Sequence, residues 1–317
     1  MAIFDVFNGD ADGICALHQL RLAEPAVAEL VTGVKRDIAL LGRVQARPGD
    51  EVTVLDVSLA RNRADLERLL AAGARVRYFD HHFAGEVPRH AGLRASIDPA
   101  PERSTSLLVD AHLGGRFRAW AVVGMFGDNL AAAACGAAAT LGCSPAALAR
   151  LRELGVCMNY NSYGATVADL HVAPDELYRR VQPYADPWEF AERDATFQEL
   201  TAGYRDDMER AAGLRPELQT ARHALYVLPA EAWARRVSGV WANALASAAP
   251  ARAHALLTRL PGGGFVVSVR APLQAATGAD ALCRAFATGG GRQAAAGIDR
   301  LPDDRYEAFV RAFARAF

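Results

Sequence analysis

The sequence predicts an α/β protein in two domains. A larger N-terminal domain carries a mainly parallel sheet flanked by helices, a smaller C-terminal α/β domain follows, and an active-site cleft lies between them. Three observations lead there. Short apolar runs alternate with stretches of helical periodicity along the first part of the chain, as in parallel sheets covered on both faces. Several of these runs stop at Asp, Asn, Gly or His. A polar break at Leu214-Arg215-Pro216 then precedes a second strand–helix series.

Residues 2–7 (AIFDVF) read as a buried strand entering a Gly/Asp/Asn loop. Residues 13–23 follow with apolar positions at Ile14, Leu17, Leu20 and Leu22, close to helical spacing. Residues 29–34 and 51–57 read as strands. Residues 61–72 (RNRADLERLLAA) form an amphipathic helix that Gly73 stops. Residues 75–79 are another strand, ending at Asp80-His81-His82. From Ser104 to about Gln182 the pattern is mostly helical. Ser104 or Thr105 caps one helix there, and Ser144-Pro145 another. Residues 194–213 read as a long polar helix. After it come a strand (221–228), a helix (234–248), two strands (253–260 and 264–270), a helix (279–287), a glycine-rich loop and a final helix. The expected domains are residues 1–190, a helical linker 191–217, and residues 218–317.

The chain has 317 residues, 51% of them hydrophobic, enough for a large core or two ordinary ones. Thirty-five basic against 36 acidic residues leave a formal charge of −1. A near-neutral chain lacks the broad basic field of a duplex-binding protein, so no duplex DNA binding is expected. Lys35 is the single lysine, and arginine supplies every other basic side chain. The guanidinium fork suits phosphate, because it donates two parallel hydrogen bonds. Cys15, Cys135, Cys143, Cys157 and Cys283 form no C-x-x-C pair and read as free buried thiols of a reducing compartment. The N-terminal MAIFDVFNGD has neither a basic flank nor a long apolar core, so no signal peptide and a cytoplasmic location are expected. The most apolar stretch, 119–141, is interrupted by Asp128 and Asn129 and reads as buried helix, with no membrane association.

Four segments carry the chemistry: Asn8-Gly9-Asp10-Ala11-Asp12-Gly13, Leu55-Asp56-Val57-Ser58, Asp80-His81-His82 and Gly124-Met125-Phe126-Gly127-Asp128. In the first three the polar group sits just past an apolar strand, and in open parallel sheets ligands bind at the carboxyl ends of strands. Each segment alone has an ordinary reading. D-x-D-G is a frequent turn or helix cap, and an Asp after a strand is a common turn residue. Together they would place five carboxylates in one crevice, where like charges repel and burial adds to the cost. A divalent cation relieves that cost. Oxygen ligands with one or two imidazoles suit Mn²⁺, with Mg²⁺ as the alternative. Two such ions about 3.5–4 Å apart can clamp the attacking and leaving oxygens of a phosphoryl transfer.

In this order the motifs resemble the DHH phosphoesterase family, which includes RecJ-like nucleases, nanoRNases, cyclic-dinucleotide phosphodiesterases and exopolyphosphatases. The resemblance extends to Val267-Ser268-Val269-Arg270 and to Gly289-Gly290-Gly291-Arg292-Gln293-Ala294-Ala295-Ala296-Gly297, which are similar to the DHH-associated domain with its serine-x-arginine strand and GGGH…AAG loop. It implies that Asp10 and Asp12 each bind one metal and that Asp56 bridges two Mn²⁺ ions. His81 and Asp128 would complete the second site. Asp80 would orient an imidazole, His82 would contact the phosphate, and metal-activated water would be the nucleophile. Two positions depart from the pattern. Asn8 stands where the RecJ-like form has Asp, which makes it a weak, neutral ligand. Arg292 replaces the usual histidine and points to a terminal phosphate or pyrophosphate.

Further substrate contacts are expected from Arg270, from Gly289, Gly290 and Gly291 through close backbone approach to an anion, and from Arg292. Gly262-Gly263-Gly264 reads instead as a hairpin turn. In Asn159-Tyr160-Asn161-Ser162-Tyr163-Gly164, Tyr160 or Tyr163 can stack on a base and the asparagines can read its edge. The competing reading is a helix-ending loop with packed tyrosines. Trp120, Trp188, Trp233 and Trp241 read as packing residues.

The expected function is metal-dependent hydrolysis of a phosphodiester or phosphoanhydride in a small nucleotide or short oligonucleotide, by a chain that can form a homodimer. The alternatives are a pyrophosphate- or polyphosphate-cleaving enzyme, a RecJ-like single-strand exonuclease, and a nucleotide-sensing protein with an impaired metal site.

Overall fold

The structure, a computed structural model, describes residues 1–317. The chain divides into two compact units, Met1–Ala202 and Gly203–Phe317. The division falls inside a helix, Ala195–Ala212, within the stretch read from sequence as the linker.

The first unit runs β1 (Ile3–Phe7), α1 (Ala11–Ala23), β2 (Glu29–Val31), β3 (Glu51–Leu55), α2 (Leu59–Ala71), β4 (Arg75–Asp80) and β5 (Leu93–Ile97). A helical series follows: α3 (Thr105–His112), α4 (Arg118–Gly127), α5 (Ala131–Ala138), α6 (Pro145–Asn161), α7 (Pro174–Val181), α8 (Pro187–Arg193) and α9 (Ala195–Ala212). The five strands form one sheet in the order β2-β1-β3-β4-β5, parallel throughout. β1 and β3 are buried at four of their five positions, as strands covered on both faces must be. One face packs Val52, Val54, Val76 and Tyr78 against Leu66, Leu69 and Leu70 of α2. α1 is buried from Ala11 to Leu20 and packs chiefly on α3 and α4. Its low amphipathicity reflects a helix enclosed on nearly all sides. Within the unit, the buried carboxylate of Asp5 in β1 accepts from Arg21 Nε and Nη2 at 2.8 and 2.5 Å.

The caps follow the sequence closely. Ser104 Oγ accepts from Leu107 N–H at 3.2 Å at the start of α3. Ser144 Oγ accepts from Ala147 N–H at 3.2 Å, and Pro145 takes the first position of α6. The apolar stretch 119–141 is not one helix but two, because Asn129 turns the chain at φ +62. Only Ala134 and Ala138 of the eight residues of α5 are buried, which departs from the buried helix expected there. No helix is long and apolar enough to cross a membrane. All five cysteines are free, but Cys135 on α5 is exposed and only Cys15, Cys157 and Cys283 are buried.

The second unit contains β6 (Leu218–Gln219), β7 (His223–Leu228), α10 (Ala232–Ala248), β8 (Ala253–Arg259), β9 (Phe265–Arg270), α11 (Ala279–Arg284), β10 (Gly289–Gly291), β11 (Ala295–Leu301) and α12 (Tyr306–Ala316). The six strands make a mixed sheet in the order β10-β11-β9-β8-β7-β6, parallel only between β7 and β8. Gly262-Gly263-Gly264 forms the expected hairpin turn between β8 and β9. The run expected as a glycine-rich loop is instead a short edge strand and a hairpin. Gly289–Gly291 pairs with β11, and Arg292 and Ala295 exchange backbone hydrogen bonds of 2.9 and 3.2 Å across a two-residue turn. Without side chains, the glycines give no apolar signal by which a strand can be read.

Candidate metal centre

β1, β3 and β4 are neighbours and run parallel, so the residues that follow them emerge on one edge of the sheet. These are Asn8, Asp10 and Asp12 after β1, Asp56 after β3, and His81 and His82 after Asp80, which closes β4. The strand order reverses between β1 and β3, the switch point at which open α/β sheets form a crevice. Asp128 arrives from the other side, at the C-terminal end of α4. The two glycines before it are there for packing. A Cβ on Gly124 would stand 2.4 Å from Ser106 Oγ, and one on Gly127 2.4 Å from Ala11 Cβ. Any side chain at either position would push α4 away from α1 and α3 and carry Asp128 with it.

Asp10 has two jobs. Its Oδ1 caps α1 by accepting Gly13 N–H at 3.0 Å, while Oδ2 faces the cluster. The helix-cap reading of D-x-D-G is therefore correct for one oxygen. Asp12 accepts Thr105 N–H at 2.6 Å and Ser106 N–H at 2.9 Å, so its carboxylate sits on the N-terminus of α3. Asp56 is held in the left-handed region at φ +58, a conformation that Asp and Asn tolerate better than most residues. Its N–H donates to Phe79 O at 3.0 Å, and its Oδ1 accepts Thr105 Oγ1–H at 3.1 Å.

The two histidines differ. His81 Nδ1 lies 2.9 Å from the Arg103 carbonyl oxygen, which can only accept, so Nδ1 carries the proton. Nε2 then faces Asp56 Oδ1 at 3.3 Å and Asp128 Oδ2 at 3.4 Å. A histidine held this way by a backbone carbonyl is oriented to offer a lone pair to a cation. His82 Nδ1 instead donates to Asp80 Oδ1 at 2.7 Å, and its side chain is 45% exposed. Asp80 is fully buried, and its Oδ2 has no hydrogen-bond partner. Two groups of ligand atoms are close enough to share an ion: Asp56, His81 and His82, and Asp12, His81 and Asp128.

Lys35 also reaches this cluster, which the sequence reading did not anticipate. Its ammonium donates to Asp10 Oδ2, to Asn159 Oδ1 at 2.9 Å and to Asp128 Oδ1 at 3.1 Å. It lies 5.8 Å from the centroid of the Tyr163 ring. Asn8 does not point an oxygen at the cluster. Its Oδ1 accepts Asp10 N–H at 3.3 Å and its Nδ2 donates to Lys35 O at 3.4 Å, which departs from the weak-ligand role expected of it. The available signal was that the chain's only lysine follows a strand of the same sheet.

The electrostatics fit a site built for added positive charge. Burial, then the Asp10 and Asp12 charges, push the Asp56 carboxyl well above the ordinary range. Burial and Asp128 raise Asp12 to about 6. For Asp10, burial also raises the value, but Lys35 and the Gly13 amide outweigh it and the net shift is downward. Burial opposes a charge on His81, yet its bond to Asp56 and the charges of Asp56, Asp12 and Asp128 lift it to about 10. Carboxylates held above their usual range beside a histidine that would otherwise keep its proton are groups a divalent cation would discharge. The donor set of carboxylate oxygens with imidazole nitrogen suits Mn²⁺.

Other expected contacts fare differently. Tyr160 is buried, with its hydroxyl 2.7 Å from His171 Nε2, so its ring offers no face for base stacking. Asn161 binds the backbone of His171 and Val172 through both ends of its amide, which leaves it nothing to read a base edge with, and Asn159 Oδ1 accepts from Lys35. In the second unit, Gly289 N–H donates to Phe286 O at 3.1 Å and its absent Cβ makes room for Cys283 O, so this glycine serves packing rather than an anion. Gly290 has open space around it, and Gly291 takes φ +136. Arg292 is exposed beside the hairpin turn, and Arg270 Nε donates to Asn243 Oδ1 at 2.8 Å.

No family model matches the sequence, and no curated protein matches it. Solved structures do. The exonuclease RecJ bound to manganese superposes with a TM-score of 0.62 at 18% identity, covering 99% of this chain and 90% of that one. The DHH domain of a member of a ribosomal-protein family gives a TM-score of 0.69 at 12% identity, over 99% and 86% of the two chains. The pGpG-specific phosphodiesterase PggH from Vibrio cholerae gives 0.59 at 15% identity, over 100% and 99%. The protein thus has the DHH fold, over its whole length.

Proposed function

We propose that this chain is a divalent-metal-dependent phosphoesterase, Mn²⁺ being the preferred ion, that hydrolyses a small nucleotide or short oligonucleotide. The observation that carries this reading is the convergence of Asp10, Asp56, His81 and Asp128 on the carboxyl edge of a parallel sheet, with the His81 Nε2 lone pair turned inward by Arg103 O. His81 would hold the ion together with Asp12 and Asp128, and Asp56 Oδ1 lies 3.3 Å from the same His81 Nε2. Bound there, the ion supplies Lewis-acid charge beside the scissile P–O bond and acidifies water. The chain's own groups set the rest. Asp80 fixes the His82 ring through Nδ1, leaving the partly exposed Nε2 to meet phosphate oxygen. Asp12 ties the first turn of α1 to the N-terminus of α3 and keeps both in register with the cluster. A small substrate is supported by the near-neutral charge and by the matching length of the pGpG-specific neighbour.

One observation favours a second reading. Lys35 inside the cluster fits a nucleotide-sensing protein whose metal centre is impaired. A product-resolved screen separates the two. It would present dinucleotides, cyclic dinucleotides, guanosine and adenosine polyphosphates and an aryl phosphodiester, with Mn²⁺ and then with chelator. The expected outcome is Mn²⁺-dependent hydrolysis of at least one dinucleotide, abolished by chelation. Tight nucleotide binding with no turnover of any compound overturns the enzymatic reading in favour of the sensor.

A further inference from the structure

Lys35 occupies an oxygen-lined position of the kind a metal ion would fill. Three side-chain oxygens from three elements surround its ammonium: Asp10 at the start of α1, Asp128 at the end of α4 and Asn159 in the last turn of α6. An aromatic face from Tyr163 lies alongside. The main chain carrying Lys35 is pinned on both sides. Its N–H donates to Ser162 O at 2.9 Å, and its carbonyl accepts from Asn8 Nδ2 at 3.4 Å. An aspartate at position 8 could not make that second bond, because a carboxylate has no N–H to give. Asn8 thus helps to hold the main chain that presents Lys35. Asparagine with lysine contributes the same net charge as aspartate with a divalent ion, one positive unit in each case.

The cluster is divided accordingly. Asp128 turns Oδ1 to Lys35 and Oδ2 to His81. Asp10 spends Oδ1 on the cap of α1 and Oδ2 on Lys35. The donors on the other side are Asp56, His81, Asp12 and the second oxygen of Asp128.

We infer that Lys35 is a resident cation in place of one metal, so that this centre takes a single divalent ion on its Asp56–His81 side rather than a pair. The inference rests on the metal-dependent reading above, and the experiment keeps their failures apart. Mn²⁺ bound per chain is counted by equilibrium dialysis and elemental analysis on wild type, Lys35→Ala, Lys35→Met and Lys35→Arg, and paramagnetic resonance distinguishes an isolated ion from a spin-coupled pair. Wild type and Lys35→Arg are expected to bind one uncoupled Mn²⁺. Lys35→Ala and Lys35→Met are expected to bind two, with a coupled spectrum. Two ions in wild type overturn the inference and leave the metal-dependent reading standing. No ion in wild type at millimolar Mn²⁺ overturns both. One ion in wild type and still one in whichever uncharged variant folds shows that Lys35 does not hold the second position. The wild-type count decides the stoichiometry even if both uncharged variants fail to fold.

Discussion

The carboxyl edge of the first unit's sheet and the glycine-bearing edge of the second unit's sheet handle charge in opposite ways. In the first, Asp10, Asp12, Asp56 and Asp80 are all at most 2% exposed, and backbone amides, hydroxyls, histidines or Lys35 hold each of them. In the second, Arg292 stands exposed beside a hairpin turn, on a sheet whose strands run in both directions. A parallel sheet delivers the residues after successive strands to one edge, so charges gather there and must be compensated. A mixed sheet spreads strand ends over both edges, and single charges stay in water at little cost. Buried carboxylates that perturb one another, as Asp10, Asp12 and Asp56 do, cluster at functional sites. Exposed arginine fits contact with a substrate's periphery.

The largest effect that sharpens this contrast should come from Asp56→Asn. Asparagine keeps the left-handed backbone at φ +58 that alanine would strain, so the variant isolates the charge. Loss of this anionic ligand should lower kcat with Mn²⁺ on the order of 10³-fold, the several kcal/mol a metal contributes to transition-state charge. Stability should not fall. Folding raises the Asp56 pKa, so at neutral pH its charged form opposes folding of the metal-free protein and a neutral amide removes that opposition. Thermal unfolding and steady-state rates check both halves. A near-normal rate would break the contrast, because the buried edge would then not be where the reaction occurs.

A second test uses a feature the two units share. Each buries a histidine that folding keeps neutral, His18 in the first and His254 in the second, both lowered to about 4. For His18, burial is the cause, against a bond from Nε2 to Tyr184 O at 2.7 Å, and Nδ1 has no partner to receive a proton's charge. The unfolded chain takes up the proton near 6.5, so stability falls as pH drops from there and levels off below about 4. Between pH 7 and 5 this histidine should cost about 2 kcal/mol. Asp12, raised to about 6, acts in the opposite direction, because folding increases its proton affinity. The informative measurement is therefore the difference between wild type and His18→Leu in urea midpoint across that pH range. A His18→Leu protein that loses stability as steeply as wild type would show that His18 is not the group responsible.

Much of the fold and the centre was legible in the sequence, for a specific physical reason. Parallel strands covered on both faces are largely apolar, so residues 2–7 and 51–57 stand out, and 75–79, though interrupted by Arg75 and Arg77, ends in Tyr78-Phe79; the polar residue that follows each one is thereby located. The helix starts at Ser104 and Ser144-Pro145 were equally readable, because a cap is a local hydrogen bond. What stayed hidden was set by distant contacts. β5 is an exposed edge strand with little apolar signal, and β10 is three glycines. Tyr160 reads as a loop aromatic until its burial is seen, and Asn8 as a ligand until its amide is seen to bond the Lys35 carbonyl. Lys35 lies 25 residues from its partner Asp10 and 93 from Asp128, with no local pattern linking them.

The smallest expected effect belongs to the exposed edge. Arg292→Ala removes a side chain in water, so the fold should be unchanged within about 0.5 kcal/mol. If the guanidinium meets a terminal phosphate, the loss is one charge-assisted contact of about 1.5 kcal/mol, a roughly tenfold rise in KM with kcat little altered. The effect should appear on substrates ending in a phosphate and vanish on those ending in a hydroxyl, because only the former have a dianion for the fork to grip. Arg292→Lys should recover part of the loss, since an ammonium keeps the charge but not the two parallel bonds. An equal rise in KM on both substrate types would remove Arg292 from phosphate recognition. A fall in kcat as large as that of Asp56→Asn would mean that the exposed edge takes part in the reaction itself, and the contrast between the two edges would be gone.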